Sequence, residues 1–352
     1  MRILHVSYDG PGNIWVNGGG AKRTRELQRR LREKGHTFDW THASRAEQAT
    51  GKWMSRLIWW RRARRDLHFV ACKMDYDVIT YEFSPFSPIW IPWELRRKVI
   101  LSLYHIHDFR SLLLKVGVFA PICWLAQWWA IRRWPHKLAL SPAMGRKLDC
   151  PHIPPGVDED LFEMVPVYTG DLYSDEAPPF FLFLGRFDVE MKGIDILLDA
   201  WEEIDERLLI AGRGDIGMID QMVIGRGLYR RVTVVDNPDE NHKRALLQHC
   251  RALVMPSRYE GWGITAVEAQ AAGKAVIGSP AVKDAIYNVP CDGPVEGIRY
   301  LVGQYADESH AKAVGRGARA WARQFSWPAM TYEMEQFLET HNRRIRDAEP
   351  TQ

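Results

Sequence analysis

Residues 252–279 constrain this chain more than any other stretch. Two apolar runs, Ala252-Leu-Val-Met-Pro-Ser257 and Lys274-Ala-Val-Ile-Gly-Ser279, read as buried strands. Between them lie a Gly-rich turn and a short helix, Arg258-Tyr-Glu-Gly-Trp-Gly-Ile-Thr-Ala-Val-Glu-Ala-Gln-Ala-Ala-Gly273. A strand, a glycine turn and a helix start aim backbone N–H groups and the helix dipole at one place, which makes an anion site. Glu260 and Glu268 flank that place. Carboxylates repel phosphate, so these two suit hydrogen bonds from hydroxyls. The ligand that fits both demands carries phosphates in its middle and polyols at its ends, as a nucleotide-sugar does.

The same strand, loop, helix rhythm runs through the rest of the chain twice over. Arg2–Tyr8 reads as a strand. It is followed by Asp9-Gly-Pro-Gly-Asn13, by Gly18-Gly-Gly20 and by a helix from Ala21 to Lys34 that Gly35 closes. The glycines have no GxGxxG spacing. They permit either close backbone approach to a ligand or a plain flexible turn. Lys22, Arg23 and Arg25 suit an acceptor phosphate or a solvated first turn equally well. Thr37–Trp40, Asp77–Phe83, Val99–Asp108 and Lys137–Ser141 continue as strands, and His107-Asp108 sits at a carboxyl end, where ligands collect in parallel sheets. After the polar stretch from Tyr168 to Pro179 the pattern restarts. Phe180–Leu184 is a strand, Gly185–Gly193 a loop bearing Arg186 and Lys192, and Ile194–Glu203 a helix. Leu208–Gly212 and Val232–Val235 are further strands. Arg186 offers a fork and Lys192 a point charge for a diphosphate. The chain of 352 residues therefore divides into two α/β domains. The expected bounds are 1–165 with a C-terminal helix at 329–352, and 170–328.

Charge separates the two halves. Residues 1–150 hold 26 Lys and Arg against 12 Asp and Glu, and 11 of the 15 tryptophans. The first half must therefore face something anionic: nucleic acid, a membrane surface or a phosphorylated acceptor. From 53 to 67 the spacing predicts a helix with Trp53, Leu57, Trp60 and Leu67 inward and Arg56, Trp59, Arg62 and Arg65 outward. The outward face suits either an anionic membrane or water. Ser111–Ile131 is apolar but is broken by Lys115, Pro121 and Gln127. Because it lies between strands of one sheet it reads as buried helices near the surface, with Trp124, Trp128, Trp129 and Trp134 as an interfacial belt or as core. The aromatic loop Ser84–Trp93 has no evident core role. Asp75-x-Asp77 imitates a metal-binding DxD but stands at the wrong end of its strand. Five scattered cysteines point to reduced thiols in a cytosol. The first residues read as a strand start and not a signal peptide.

Taken in order, these pieces resemble the retaining glycosyltransferases of family 4, which have the GT-B fold: two doubly wound, Rossmann-like domains facing a central crevice, with a final helix crossing back to the first. The resemblance rests on Glu260-Gly-Trp-Gly-Ile264 followed by Glu268-Ala-Gln-Ala-Ala-Gly273 (E-x7-E), on Gly185-Arg186 with Lys192-Gly193, and on Gly19-Gly20 with Gly35-His36. His107-Asp108, Gly156-Val157-Asp158 and Phe325-Ser326-Trp327 complete it. It implies that Glu268 accepts the donor ribose hydroxyls and that Glu260 contacts the donor sugar. Arg186 and Lys192 would neutralise the departing diphosphate. Trp262, Gly263 and Ile264 would lend backbone N–H groups, and His107 would reach the sugar from the first domain. Gly19 and Gly20 would let the backbone approach, and Arg213 would face the crevice. Lys22 and Arg25 remain as acceptor contacts.

Neither a cofactor nor a metal is implied. The expected reaction moves a hexose from a UDP- or GDP-sugar, with retention, to a membrane lipid or lipid-linked glycan in cell-envelope glycoconjugate synthesis. The protein would be cytoplasmic, held peripherally at the membrane by its basic half, with no nucleic-acid partner. A soluble sugar-phosphate acceptor is the second expectation, and a GT-B epimerase or other non-transferase the third. Two loops depart from the family pattern: Ser279-Pro-Ala-Val-Lys-Asp284 replaces a glycine-rich stretch, and Asp236-Asn-Pro-Asp-Glu240 lacks a common glycine.

Overall fold

The computed structural model describes residues 1–10, 19–73, 75–84, 91–104, 106–163 and 178–347. Residues 11–18 of the first glycine loop, 85–90 of the aromatic loop, 168–177 of the expected linker and the end of the chain lie outside the described residues.

Met1–Gly156 and Pro328–Gln352 form one compact unit, and Val157–Trp327 the other. The segment 157–163, placed in the first domain by the sequence, belongs with the second. Its Val157 pairs with Ser326, and its Asp160 accepts a hydrogen bond from Arg244 at 2.8 Å.

In chain order the first unit contains β1 (Arg2–Val6), α1 (Gly19–Glu33), β2 (Thr37–Thr41), α2 (Arg45–Gln48), α3 (Lys52–Lys73), β3 (Val78–Glu82) and β4 (Val99–Leu103). Then come α4 (Phe109–Val116), α5 (Ala120–Arg133), β5 (Lys137–Ala139) and α6 (Pro142–Leu148). The second unit opens with α7 (Glu159–Glu163), β6 (Phe180–Phe187), α8 (Val189–Lys192), α9 (Ile194–Trp201), β7 (Arg207–Gly214), α10 (Ile216–Gly225) and β8 (Val232–Asp236). It continues with α11 (Glu240–His249), β9 (Ala252–Met255), α12 (Ile264–Ala271), β10 (Ala275–Gly278), α13 (Glu296–Ala306) and α14 (Glu308–Ala322). The last helix, α15 (Trp327–Asp347), returns to the first unit.

Each unit holds a five-stranded sheet, with strand order β2-β1-β3-β4-β5 in the first and β10-β9-β6-β7-β8 in the second. Every pairing is parallel. Parallel strands need helical crossovers that cover the sheet, so the strands read as unbroken apolar runs. Phe180-Phe-Leu-Phe-Leu184 is such a run: Phe181, Phe183, Trp201, Ile194 and Leu198 meet in the second core. The order of strands reverses between β1 and β3 in the first sheet and between β6 and β9 in the second. Ligands of open parallel sheets bind at such switch points, beyond the carboxyl ends of the strands.

α3 does not present the face that its tryptophans led us to expect. Ser55, Trp59, Ala63 and Leu67 are buried, and Leu57 is exposed. These buried positions recur every fourth residue, one helical stripe. Trp59 turns inward because Tyr8 meets it edge-on at 5.5 Å, while the Tyr8 hydroxyl bonds Ser55 Oγ at 2.7 Å.

α4 and α5 correct a second expectation. Leu112, Ala120, Gln127, Ala130 and Ile131 are buried, but most of the apolar residues of this pair lie open to solvent.

α15 is tied to the first unit by Glu335, which binds Lys34 Nζ at 2.5 Å and His36 Nε2 at 2.9 Å. His341 stacks edge-on against His136 at 4.4 Å, and Arg346 reaches Asp77 at 3.2 Å. The Gly35-His36 pair thus closes α1 and then anchors the returning helix.

Candidate active site

At the second switch point β6 runs further than its apolar core. The sequence placed Gly185-Arg186-Phe187 in a loop, yet these residues continue the ladder and face Gly212, Arg213 and Gly214 of β7. Two glycines allow it: a Cβ on Gly212 would strike the Gly185 carbonyl oxygen. Register partners on parallel strands share a sheet face. Arg186 and Arg213 therefore stand side by side, both exposed. Arg213 Nε donates to Asn237 Oδ1 at 2.8 Å, while Arg186 makes no hydrogen bond or ion pair among the described residues. Paired like charges are unfavourable alone and become favourable around an anion.

The neighbouring loop delivers Lys192. Asp188 caps α8, and Gly193 ends it in the left-handed region at φ 68°. No other residue fits at Gly193, because a Cβ would collide with the Pro256 carbonyl oxygen. That approach locks the end of α8 to the end of β9. Met191 O accepts from the backbone N–H of Arg258 and Tyr259 at 3.0 and 3.3 Å, and Arg258 forks onto Asp195 at 2.8 and 2.6 Å. Lys192 Nζ then lies 2.5 Å from Glu260 Oε2, both side chains mostly buried. The sequence assigned these two to separate jobs, and the structure makes them an ion pair across the switch point. Lys192 keeps donors to spare, since an ammonium carries three.

Gly263, at φ 82°, starts α12 and accepts from Ala266 N at 2.9 Å. The helix's first N–H groups stay outside its own ladder. Trp262, buried, packs on Phe325 with ring centroids 5.1 Å apart. Phe325 belongs to the segment that zips onto Val157-Asp158: Val157 N donates to Phe325 O at 2.8 Å, and Trp327 Nε1 to Asp158 Oδ1 at 3.0 Å. Two motifs far apart in sequence thus form one brace under the glycine turn. Glu268, one turn into α12, is 7% exposed and receives Lys243 Nζ at 3.0 Å. Burial alone would lower the Lys243 ammonium, but the carboxylates of Glu268 and Glu240 outweigh it and hold the lysine charged. Lys243 was missed by sequence reasoning. It sits on α11, and nothing local to α11 points at α12.

The two departing loops keep their geometry by other means. Asn237 takes the left-handed conformation at φ 45°, which Asn tolerates better than most residues, so no glycine is needed there. Ser279 caps a 3-10 turn at Pro280–Ala285 and donates to Ser257 O at 2.5 Å.

In the first unit, His107 follows β4. Its backbone N–H donates to Gln127 Oε1 at 3.0 Å and its carbonyl accepts from Gln127 Nε2 at 2.9 Å. Gln127, which reads in the sequence as an interruption of an apolar helix, is wholly buried and clamps this loop. Gly19 and Gly20 open α1. A Cβ on Gly20 would meet Tyr104 at 3.6 Å and Asp9 Oδ2 at 3.8 Å, ordinary contacts, so the fold itself does not demand glycine there. Lys22 is half-buried and Arg25 exposed.

Between them Arg23 points inward, 3% exposed, with NH1 3.3 Å from the Tyr104 hydroxyl. His5 joins Thr80 at 2.7 Å and Glu82 at 3.2 Å. Burial and the Glu82 carboxylate push the Tyr104 phenol upward. This buried polar set at the first switch point was not foreseen either, because its members come from four separate elements.

Among the described residues, the ligand atoms of His36, Glu335 and Glu339 lie within 4.8 Å of one another. Lys34 and the Met1 amine already occupy that cluster, the latter 3.2 Å from His36 Nδ1. Asp77 is taken by Arg2 N and Arg346, and Asp75 by Lys98 at 3.3 Å.

Residues 178–317 match the family described as glycosyl transferases group 1. The phosphatidyl-myo-inositol mannosyltransferase of Mycobacterium leprae is 30% identical over 293 residues, covering 76% of this chain and 74% of that protein. The D-inositol 3-phosphate glycosyltransferase of Xylanimonas cellulosilytica is 31% identical over 212 residues, 52% of this chain and 49% of that one. Sucrose-phosphate synthase from Thermosynechococcus elongatus superposes with a TM-score of 0.74 over 99% of this chain and 100% of its own, at 19% identity. WaaG, a glycosyltransferase of lipopolysaccharide biosynthesis, does so at 0.72 over 96% and 99%, at 12% identity. These structures share the GT-B fold. Together with the geometry above, the matches show that the chain belongs to the group 1 glycosyltransferases.

Proposed function

We propose that this glycosyltransferase moves a hexose, with retention, from a UDP- or GDP-sugar to a lipid or lipid-linked acceptor at the cytoplasmic face of a membrane. One observation carries the donor part: two lysine–glutamate pairs and two adjacent arginines meet at the switch point of the second sheet. Glu268, with Lys243 Nζ 3.0 Å from one of its oxygens, receives the ribose hydroxyls. Glu260 addresses sugar hydroxyls. Arg186, Lys192 and the first N–H groups of α12 meet the diphosphate, and Arg213 stands beside Arg186.

As the bond from C1 to the phosphate oxygen breaks, negative charge grows on the diphosphate. Fixed cations and dipoles stabilise that charge, which is the largest catalytic contribution open to such a site. The acceptor oxygen bonds C1 on the same face, and its proton passes to the leaving phosphate. No metal is required in this scheme.

The acceptor part is supported by the +14 balance of residues 1–150 and by the relative's action on a phosphatidyl-inositol. A soluble sugar phosphate, held by Lys22 and Arg25, is the second reading. It is favoured by the inositol-phosphate enzyme among the relatives.

The test incubates the protein with labelled UDP- and GDP-hexoses and either inositol-phospholipid vesicles or free inositol phosphate. Label in the organic phase, with the donor's anomeric configuration by NMR, supports the proposal. An inverted anomer, or label released only as free hexose, contradicts it.

A further inference from the structure

We infer that the helical hairpin α4–α5 is the surface through which this protein seats on an anionic lipid bilayer, and that the seat is mechanically joined to the His107 loop.

The hairpin exposes far more apolar surface than a solvated pair of helices requires. Phe109, Leu113, Val118, Phe119, Ile122 and Leu125 are 46, 50, 86, 63, 66 and 61% exposed, and Trp129 is 50%. Contiguous apolar surface on this scale marks an interaction site. On α5, Ile122, Leu125, Trp129 and Arg132 recur at three- and four-residue steps, so they form one stripe. Val118 and Phe119 form the turn at its tip. The opposite face of α5, with Gln127, Ala130 and Ile131, is buried. The hairpin is amphipathic in the sense of a helix that lies on a membrane. Among the described residues no helix is long and apolar enough to cross one.

Charge selects the occupant. From Phe109 to Leu148 the sequence contains no Asp or Glu, but it does contain Arg110, Lys115, Arg132, Arg133, Lys137, Arg146 and Lys147. Arg132 and Arg133 are exposed and lie over the rings of Trp128 and Trp129 at 5.8 and 5.7 Å. An apolar stripe that ends in tryptophan and arginine, with no acid among its neighbours in sequence, matches acyl chains beneath anionic headgroups. A protein partner would have to bring acids to the same rim. α3 turns Trp59 into the core and, among its described residues, exposes Met54, Leu57 and Phe69 as large apolar side chains, fewer than the hairpin does.

The join to chemistry is Gln127. From the buried face of α5 it holds both the N–H and the carbonyl of His107. An acceptor drawn from the bilayer that carries α5 is thereby presented near the loop that holds His107. This inference builds on the membrane-borne acceptor proposed above.

Flotation with vesicles of phosphatidylcholine containing phosphatidylglycerol at low salt tests it. The whole protein is expected to float. The double variant Phe119→Ser with Ile122→Ser, both exposed positions, should lose at least tenfold in vesicle affinity with its thermal unfolding midpoint kept. An Arg61→Gln with Arg65→Gln variant on the exposed side of α3 should stay within about twofold to threefold, the screened worth of surface charges. Equal binding by the Phe119/Ile122 variant overturns the inference. So does failure of the whole protein to bind, or a dimer in sedimentation that the double variant converts to monomer. Nucleotide titration of the same samples reports separately on the donor reading.

Discussion

The carboxyl ends of the two sheets are built on opposite plans. In the second unit the switch point between β6 and β9 gathers charges from four local pieces: Arg186 at the end of β6, Lys192 at the end of α8, Glu260 in the turn after β9 and Glu268 on α12. In the first unit the switch point between β1 and β3 is closed over a buried network, His5, Thr80, Glu82, Tyr104 and Arg23. The apolar hairpin α4–α5 follows the neighbouring strand β4. The second unit's charges thus come from strand ends, turns and a helix start, each shaped by local sequence. The first unit's network is assembled from long-range contacts instead, with His5, Arg23, Thr80 and Tyr104 drawn from separate elements.

The largest effect that would sharpen this contrast is on turnover. Lys192→Ala removes a cation from the leaving diphosphate and should lower kcat by roughly 10²–10³-fold, the usual cost of losing one charge-stabilising donor. A loss under about fivefold in steady-state assays would show that the pair with Glu260 is only structural.

A second test separates the units by pH. Burial and the neighbouring His136 push His341 down to about 4. Its neutral form is the one the fold favours. Above the unfolded value near 6.5 the stabilisation is complete, and it is lost as pH falls from there toward 4. The shift corresponds to roughly 3 kcal/mol. Hydrogen exchange should therefore show α15 and the first sheet opening before the second unit between pH 6 and 4.5. His341→Phe should abolish the difference. Simultaneous opening of both units would break the contrast.

Smaller still, Gln127→Leu removes two hydrogen bonds from the His107 backbone, at a cost of about 1–3 kcal/mol. It should lower kcat about tenfold while nucleotide affinity stays constant. A change confined to nucleotide affinity would contradict the clamp. Smallest is Asn237: Asn237→Ala should cost about 1 kcal/mol in chemical denaturation because of its left-handed backbone, and Asn237→Gly nearly nothing. Equal losses in both variants would mean that the Asn237 side chain, through Arg213, matters more than its backbone.

The contrast also explains what could be read from sequence. The stretch from Arg258 to Gly273 was legible because strand, glycine turn and capped helix are local signals. That the sheets are parallel followed from the alternating pattern of strands and helices; the order of the strands did not. Lys243 and Gln127 were not legible, since each acts on a residue about twenty or more positions away along the chain. The inward face of α3 was misassigned because tryptophan spacing was trusted over the four-residue stripe of Ser55, Trp59, Ala63 and Leu67. The α4–α5 pair reads as buried helices near the surface, its tryptophans open to either an interfacial belt or core, because apolar periodicity reports that a face avoids water and not what covers it. Only the exposure of Val118, Phe119 and Ile122 distinguishes the two cases.

Titration calorimetry of UDP, GDP and their hexose conjugates, with the wild-type protein and Glu268→Gln, addresses the donor site most directly. Saturable binding of one nucleotide series by the wild type, weakened at least tenfold (about 1.4 kcal/mol) in Glu268→Gln, is expected. Binding that is indifferent to Glu268, or no nucleotide binding by the wild type at all, would contradict a donor site at the switch point of the second sheet.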